Sequence, residues 1–279
     1  MEASFSADGI AGAPPSERGA IMATGSGYLA FGFSLSEVLE QGWKAITSNP
    51  VVMLGVAFIF GTLPNLIFEW TTNRFGTSAL SAPVGMPFTT AAVAAGVIVA
   101  FGALISQAAL MRATADHRSG RAIGFGEAIG GALRVAGPLL LLMIVMTAGL
   151  IIGFMLLVVP GIILSIMWAV AMPALVIERD GVIRALGRSR RLTEGARWKI
   201  FGCAVLLTVV LGLLAGITAI IGAILGGVAN SPILLGKLPS AILQTLTTAY
   251  ASTVIASLFL ELRDWKDGPE TASLSEIFA

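Results

Sequence analysis

Long uncharged apolar stretches alternate with short polar ones along this chain. They cover residues 51–68, then 69–111 with Glu69 and Arg74 as the only charges, 135–177, 200–236 and 238–260. A helix that crosses a bilayer needs about 20 mostly apolar residues, so length decides how many crossings each stretch holds. Residues 135–177 are 43 in a row without a charge. As one helix they would be about 65 Å long, twice the hydrocarbon thickness. The stretch therefore has to turn back, and Pro160-Gly161 in its middle supplies the predicted hairpin turn. The pattern predicts six spans at about 51–69, 89–111, 138–158, 161–178, 200–226 and 240–261. Loops are expected over 71–88, with Asn73, Gly76, Pro83 and Pro87, and over 227–239, around Asn230-Ser231-Pro232.

Amphipathic segments precede the odd-numbered spans. Ser34-Leu35-Ser36-Glu37 reads as a capping box, followed by Leu35, Val38, Leu39, Gly42 and Ile46 on one helical face. The run Gly126 to Arg134 aligns with Ser36 to Lys44 without a gap, Glu127 on Glu37 and Arg134 on Lys44. A third segment starts at Asp180-Gly181 and is ended by Gly195. The predicted fold is an all-α polytopic membrane protein: three repeats of an interfacial helix plus a helical hairpin, with the apolar face of each interfacial helix turned to the membrane. Three small-residue pairs, Gly149/Gly153, Gly212/Gly216 and Gly222/Gly226, are expected to bring helices close within one chain.

Composition agrees with a lipid environment. Hydrophobic residues make up 56% and charged residues 12%, too few charges to clothe a soluble domain of this size. The net charge of +1 gives no basic balance that would point to nucleic acid. The charges are segregated instead. Of 17 Lys and Arg, fifteen fall on one side of the six spans and two, Arg74 and Lys237, on the other. The positive-inside rule puts the first side, and both termini, in the cytoplasm. Residues 1–33 read as a disordered cytoplasmic tail without a signal-peptide core, 34–262 as the membrane domain and 263–279 as a cytoplasmic C-terminal tail.

Catalytic chemistry is sparse. Cys203 and His117 are the only residues of their kinds and lie far apart, so no disulfide, metal site or cofactor is expected. No predicted span has an ionisable residue near its middle, which argues against an ion-coupled pump. The last span is polar without charge, through Gln244, Thr245, Thr247, Thr248, Tyr250, Ser252, Thr253 and Ser257. Such a face suits either hydrogen bonds between helices or a polar groove. The densest charge lies between Glu178 and Lys199, where Arg184, Arg188 and Arg191 fall within roughly 60° on a helix. Guanidinium pairs bidentately with phosphate, so these three are candidates for an anionic lipid headgroup, with topology enforcement as the plainer role.

The same region carries a resemblance. Pro160-Gly161-Ile162-Ile163, Trp168, Pro173, Glu178, Gly181, Ser189, Leu192-Thr193, Gly195 and Trp198 resemble the membrane domain found with some bacterial glycerophosphoryl diester phosphodiesterases, and related small inner-membrane proteins. The resemblance implies a bacterial cytoplasmic membrane and a multi-span helical fold. It implies no enzyme activity, because the phosphodiesterase chemistry of that family sits in a separate barrel that this chain has no room for. The reading is of a non-catalytic membrane protein that assists lipid or envelope processes, with membrane lipids and an unidentified protein as partners. The alternative is a transporter or channel for a small or amphiphilic solute.

Overall fold

The computed structural model describes residues 35–75, 87–121, 123–228 and 234–268. The predicted N-terminal tail, the centre of the 71–88 loop, Asn230-Ser231-Pro232 and residues 269–279 lie outside them. The described residues form helices joined by short turns, with no strand among them, and six helices are long and apolar enough to cross a membrane: Pro50–Trp70, Val93–Arg118, Phe125–Leu156, Val158–Glu178, Arg197–Gly227 and Gly236–Asp267. The protein is an all-α polytopic membrane protein with six spans.

Helix α1 (Leu35–Ser48) ends where Asn49-Pro50 begins α2 (Pro50–Val56), with proline in the first turn, where its missing N–H costs nothing. The first span then passes through a π-helical segment, Ala57–Thr62, before α3 (Leu63–Phe75). The irregular segment is held from outside. Ser106 donates to the Val56 carbonyl at 3.4 Å, and the hydroxyls of Thr62 and Thr245 meet at 2.8 Å. Span two is α4 (Pro87–Arg118), and span three is α5 (Phe125–Leu156). Here the structure departs from the repeat expected of the sequence. Gly126 to Arg134 is not a separate interfacial helix but the first turns of α5. Gly137-Pro138 follows Arg134 but is carried inside α5 without ending it, whereas Asn49-Pro50 and Gly195 (φ +89°) break the chain after the other two segments.

The α5–α6 hairpin is tighter and earlier than its proline suggests. The turn is the single extended residue Leu157 (φ −168°, ψ 153°), between α5 and α6 (Val158–Met167). Pro160 is the third residue of α6, in the first turn, whose N–H groups have no helical partner. Gly161 is a packing residue: a Cβ there would stand 2.5 Å from the Phe154 ring, and one at Gly153 would stand 3.2 Å from the Gly161 Cα.

Span four is broken a second time. α6 stops at Met167, Trp168 to Val170 form turns, and α7 (Ala171–Glu178) follows, with Pro173 again third in its helix. Arg179 is left-handed (φ 58°) and Gly181 (φ 75°) opens the amphipathic α8 (Val182–Thr193). α9 (Arg197–Val228) is span five. α10 (Leu234–Asp267) is span six and continues through residues that the sequence placed in the C-terminal tail.

α10 is the centre of the bundle, with half of its most apolar window buried, against none for α9. Its polar face is used in contacts between helices. Thr245, Ser252, Thr253 and Ser257 are buried, and Thr245 bonds to Thr62 of the π segment. α1 buries Val38, Gly42, Ala45 and Ile46, and Gly42 lets it approach the α10 backbone at Val254. The apolar face of this segment is thus turned onto α10, not onto lipid as the sequence suggested. Two of the three glycine pairs close helix contacts as expected, Gly149/Gly153 against Trp168 and Gly161, and Gly222/Gly226 against Gly236. Gly212 and Gly216 have no atom within reach of an added Cβ.

Candidate functional site

The arginine-rich end of the bundle is built around the C-terminal turns of α10. Two arginines hold it from different sides. Arg118, last in α4, donates to Gln41 of α1 at 2.9 Å, to Glu261 at 3.1 Å and to Asp264 at 2.9 Å. Arg188 of α8 donates through Nε to both Glu178 oxygens at 3.0 and 3.1 Å, and through Nη2 to Glu178 and to Asp267. The Arg188 side chain is only 16% exposed. Hydrogen bonding to Asp267 first, and then to Glu178, raises its pKa further above an already high value, so it stays charged at any working pH.

The three arginines singled out from the sequence therefore divide. Arg188 is an internal clamp joining α7, α8 and α10. Arg184 is 78% exposed, and its one ion pair among the described residues is with Asp180, four residues upstream, at 3.8 Å. Arg191 is exposed. All three, with Glu178, Asp180 and Gly187, line an open depression of ≈ 570 Å³. Its rim is free to receive an anion only from Arg184 and Arg191.

The remaining motif residues are the reason α8 sits where it does. Ser189, Thr193, Ala185 and Leu192 form its buried face. Ser189 is fully buried, donates to the Met167 carbonyl at 2.8 Å and accepts from the Val170 N–H at 3.3 Å. It satisfies the backbone groups that the break in span four leaves open. Thr193 bonds back to the Ser189 carbonyl at 3.0 Å and closes the helix before Gly195. Trp198, 86% exposed, stands at the start of α9 with its ring edge-on to Phe201 at 6.2 Å. It and the exposed Trp43 of α1 mark the same end of the bundle, as tryptophans do at membrane–water boundaries. Sequence reading missed the Arg118 clamp. Its signal was a basic residue closing α4 with Glu261 and Asp264 three residues apart on one face of α10.

Among the described residues no group of three or more His, Cys, Asp or Glu is placed to hold a metal ion. No curated protein and no solved structure matches the chain. Residues 33–262 match a family described as a domain of unknown function, DUF7847, and the chain belongs to that family.

Proposed function

We propose that this DUF7847 member is a non-catalytic protein of the bacterial cytoplasmic membrane, with both termini inside, whose arginine-rich end engages lipid headgroups in support of membrane lipid or envelope processes. One observation carries the reading. α8 is fixed rigidly to span four and to α10 by Ser189 and Arg188, and it presents Arg184 and Arg191 outward from that mount. A rigid helix that carries Arg191 and the largely exposed Arg184, whose ion pair with Asp180 is a loose 3.8 Å contact, suits an anionic phosphate at the membrane boundary. A resemblance in the same residues, from Val158 to Gly202, to membrane domains associated with lipid-derived diesters supports the same reading.

The test compares Arg184→Lys/Arg191→Lys and Arg184→Gln/Arg191→Gln in nanodiscs with and without anionic lipid, reading lipid retention. Arg188 stays untouched, since its loss would disturb the mount. Headgroup recognition by planar pairing expects lysine to lose most of the retention. Generic attraction to an anionic surface, about 1 kcal/mol per basic group, expects lysine to keep it and glutamine to lose it. Full retention by the glutamine pair would leave these arginines as topology determinants only. Orientation is checked by reporter fusions after Arg118 and Arg190, expected inside, and near Ser81, expected outside.

A further inference from the structure

A second pocket lies at the same end of the bundle, on the far side of Arg118. The last turn of α4 closes in a Schellman cap. The Gly120 N–H bonds to the His117 carbonyl at 3.0 Å, the Arg121 N–H to the Asp116 carbonyl at 2.9 Å, and Gly120 takes φ +76°. This cap folds the chain back so that Arg121 and Ile123 return beside His117. Opposite them is the junction of α1 and α2, where Asn49 precedes Pro50. Between the two lies a cavity of ≈ 250 Å³ with Asn49, His117 and Arg121 at its polar side and Met53, Ala113 and Ile123 as an apolar floor. His117 and Arg121 are exposed while the three floor residues are buried, so the cavity grades from water to core.

The polar groups here are not consumed by the fold. Asn49 is the N-cap of α2, yet its side chain makes no capping bond. Neither it nor His117 has a side-chain hydrogen bond to any described residue. Arg121 gives one Nη2 bond to Glu127 at 2.6 Å and keeps further N–H groups, since a guanidinium carries five. An amide, an imidazole and a guanidinium above an apolar floor match an anionic oxygen-rich group carried on an apolar body. The volume is below that of drug-sized sites, about 300–1,000 Å³, and suits one headgroup.

We propose that this cavity holds the phosphate of a phospholipid, with Arg121, His117 and Asn49 on the phosphate oxygens and the acyl-bearing glycerol over Met53 and Ile123. The site does not rest on Arg184 and Arg191, and its variants do not touch them.

The experiment uses the full chain in nanodiscs containing a phospholipid with a photo-cross-linker on its headgroup, followed by peptide mapping. In the parent, cross-links are expected on residues 48–53 and 113–123. Asn49→Ala/His117→Ala removes two donors that the fold does not use and should cut that yield at least about tenfold, the effect of a single lost charge-assisted hydrogen bond being about that factor. Ala113→Leu keeps every polar group and fills the floor, and should cut it as much. Arg184→Gln/Arg191→Gln should leave it unchanged. Equal yields in the parent and both pocket variants, or no cross-link there in the parent, would overturn the proposal. So would loss of the lipid cross-link on adding millimolar glycerol phosphate, which would give the phosphate site a soluble ester as its occupant instead.

Discussion

Ser189 in α8 accepts the backbone N–H of Val170 at 3.3 Å while donating to the Met167 carbonyl at 2.8 Å, so one buried hydroxyl bridges the gap in span four. Without it, a donor and an acceptor are stranded where water has poor access. Ser189→Ala should lower stability by about 1–3 kcal/mol, the cost of an unsatisfied buried polar group. Ser165→Ala is the control, because Ser165 bonds only within its own helix, to the Ile162 carbonyl. Thermal melts in one detergent should show a clear drop for the first variant and little for the second. Equal midpoints would mean that water takes over the bridge.

Arg188 binds two carboxylates on two helices, Glu178 and Asp267. Its exposure lies between that of surface pairs, worth about 0–1 kcal/mol, and buried ones, which cost about 3–5 when one partner is removed. Arg188→Gln should therefore cost roughly 1–3 kcal/mol. Arg188→Lys should recover only part, because an ammonium cannot lie bidentate on Glu178. A double-mutant cycle with Glu178→Gln should be non-additive by at least about 0.5 kcal/mol. Additivity would show that the pair is not coupled in the membrane.

The six spans were legible because bilayer thickness converts directly into a count of apolar residues. The positions of breaks were less so, for a common reason. Pro160 and Pro173 are both third in their helices, so each marks a break upstream of itself, at Leu157 and at Trp168 to Val170. Pro138 and Pro239, by contrast, lie inside α5 and α10 without a break, so a proline in the sequence tells neither whether a helix stops nor where. The candidate site was half legible. Sequence placed Arg184, Arg188 and Arg191 on one face, but the partner that removes Arg188 from that face, Asp267, is 79 residues away. Ser189 was visible only as one residue of the resemblance, because its role depends on the break at Trp168 to Val170 that nothing in the sequence announced.

The hairpin makes a further prediction. Pro160→Ala should be tolerated, since the position needs no N–H and alanine is a good helix former. Gly161→Leu should not be, because its side chain would enter the Phe154 ring and separate α5 from α6. Circular dichroism and elution in detergent should show native behaviour for the first variant and loss of the folded species for the second. The reverse order would restore the turn to Pro160.

The last prediction separates two glycine pairs that look alike in sequence. A Cβ on Gly222 would collide with the carbonyl oxygen of Gly236, and one on Gly236 would lie 3.1 Å from the Gly222 carbonyl oxygen. Both obstacles are backbone atoms, which cannot rotate aside. α9 would have to lift from α10, and no residue in its most apolar window is buried elsewhere to hold it. Gly222→Ala should therefore destabilise the protein by about 1–3 kcal/mol, as overpacking does. Gly212 and Gly216 lie on the same helix with open space before them. Alanine there should be neutral or stabilising by up to about 1 kcal/mol from helix propensity. Thermal midpoints of the three single variants in nanodiscs give the answer. If Gly212→Ala or Gly216→Ala costs as much as Gly222→Ala, the outward face of α9 is not covered by lipid, and a helix of another chain must pack there.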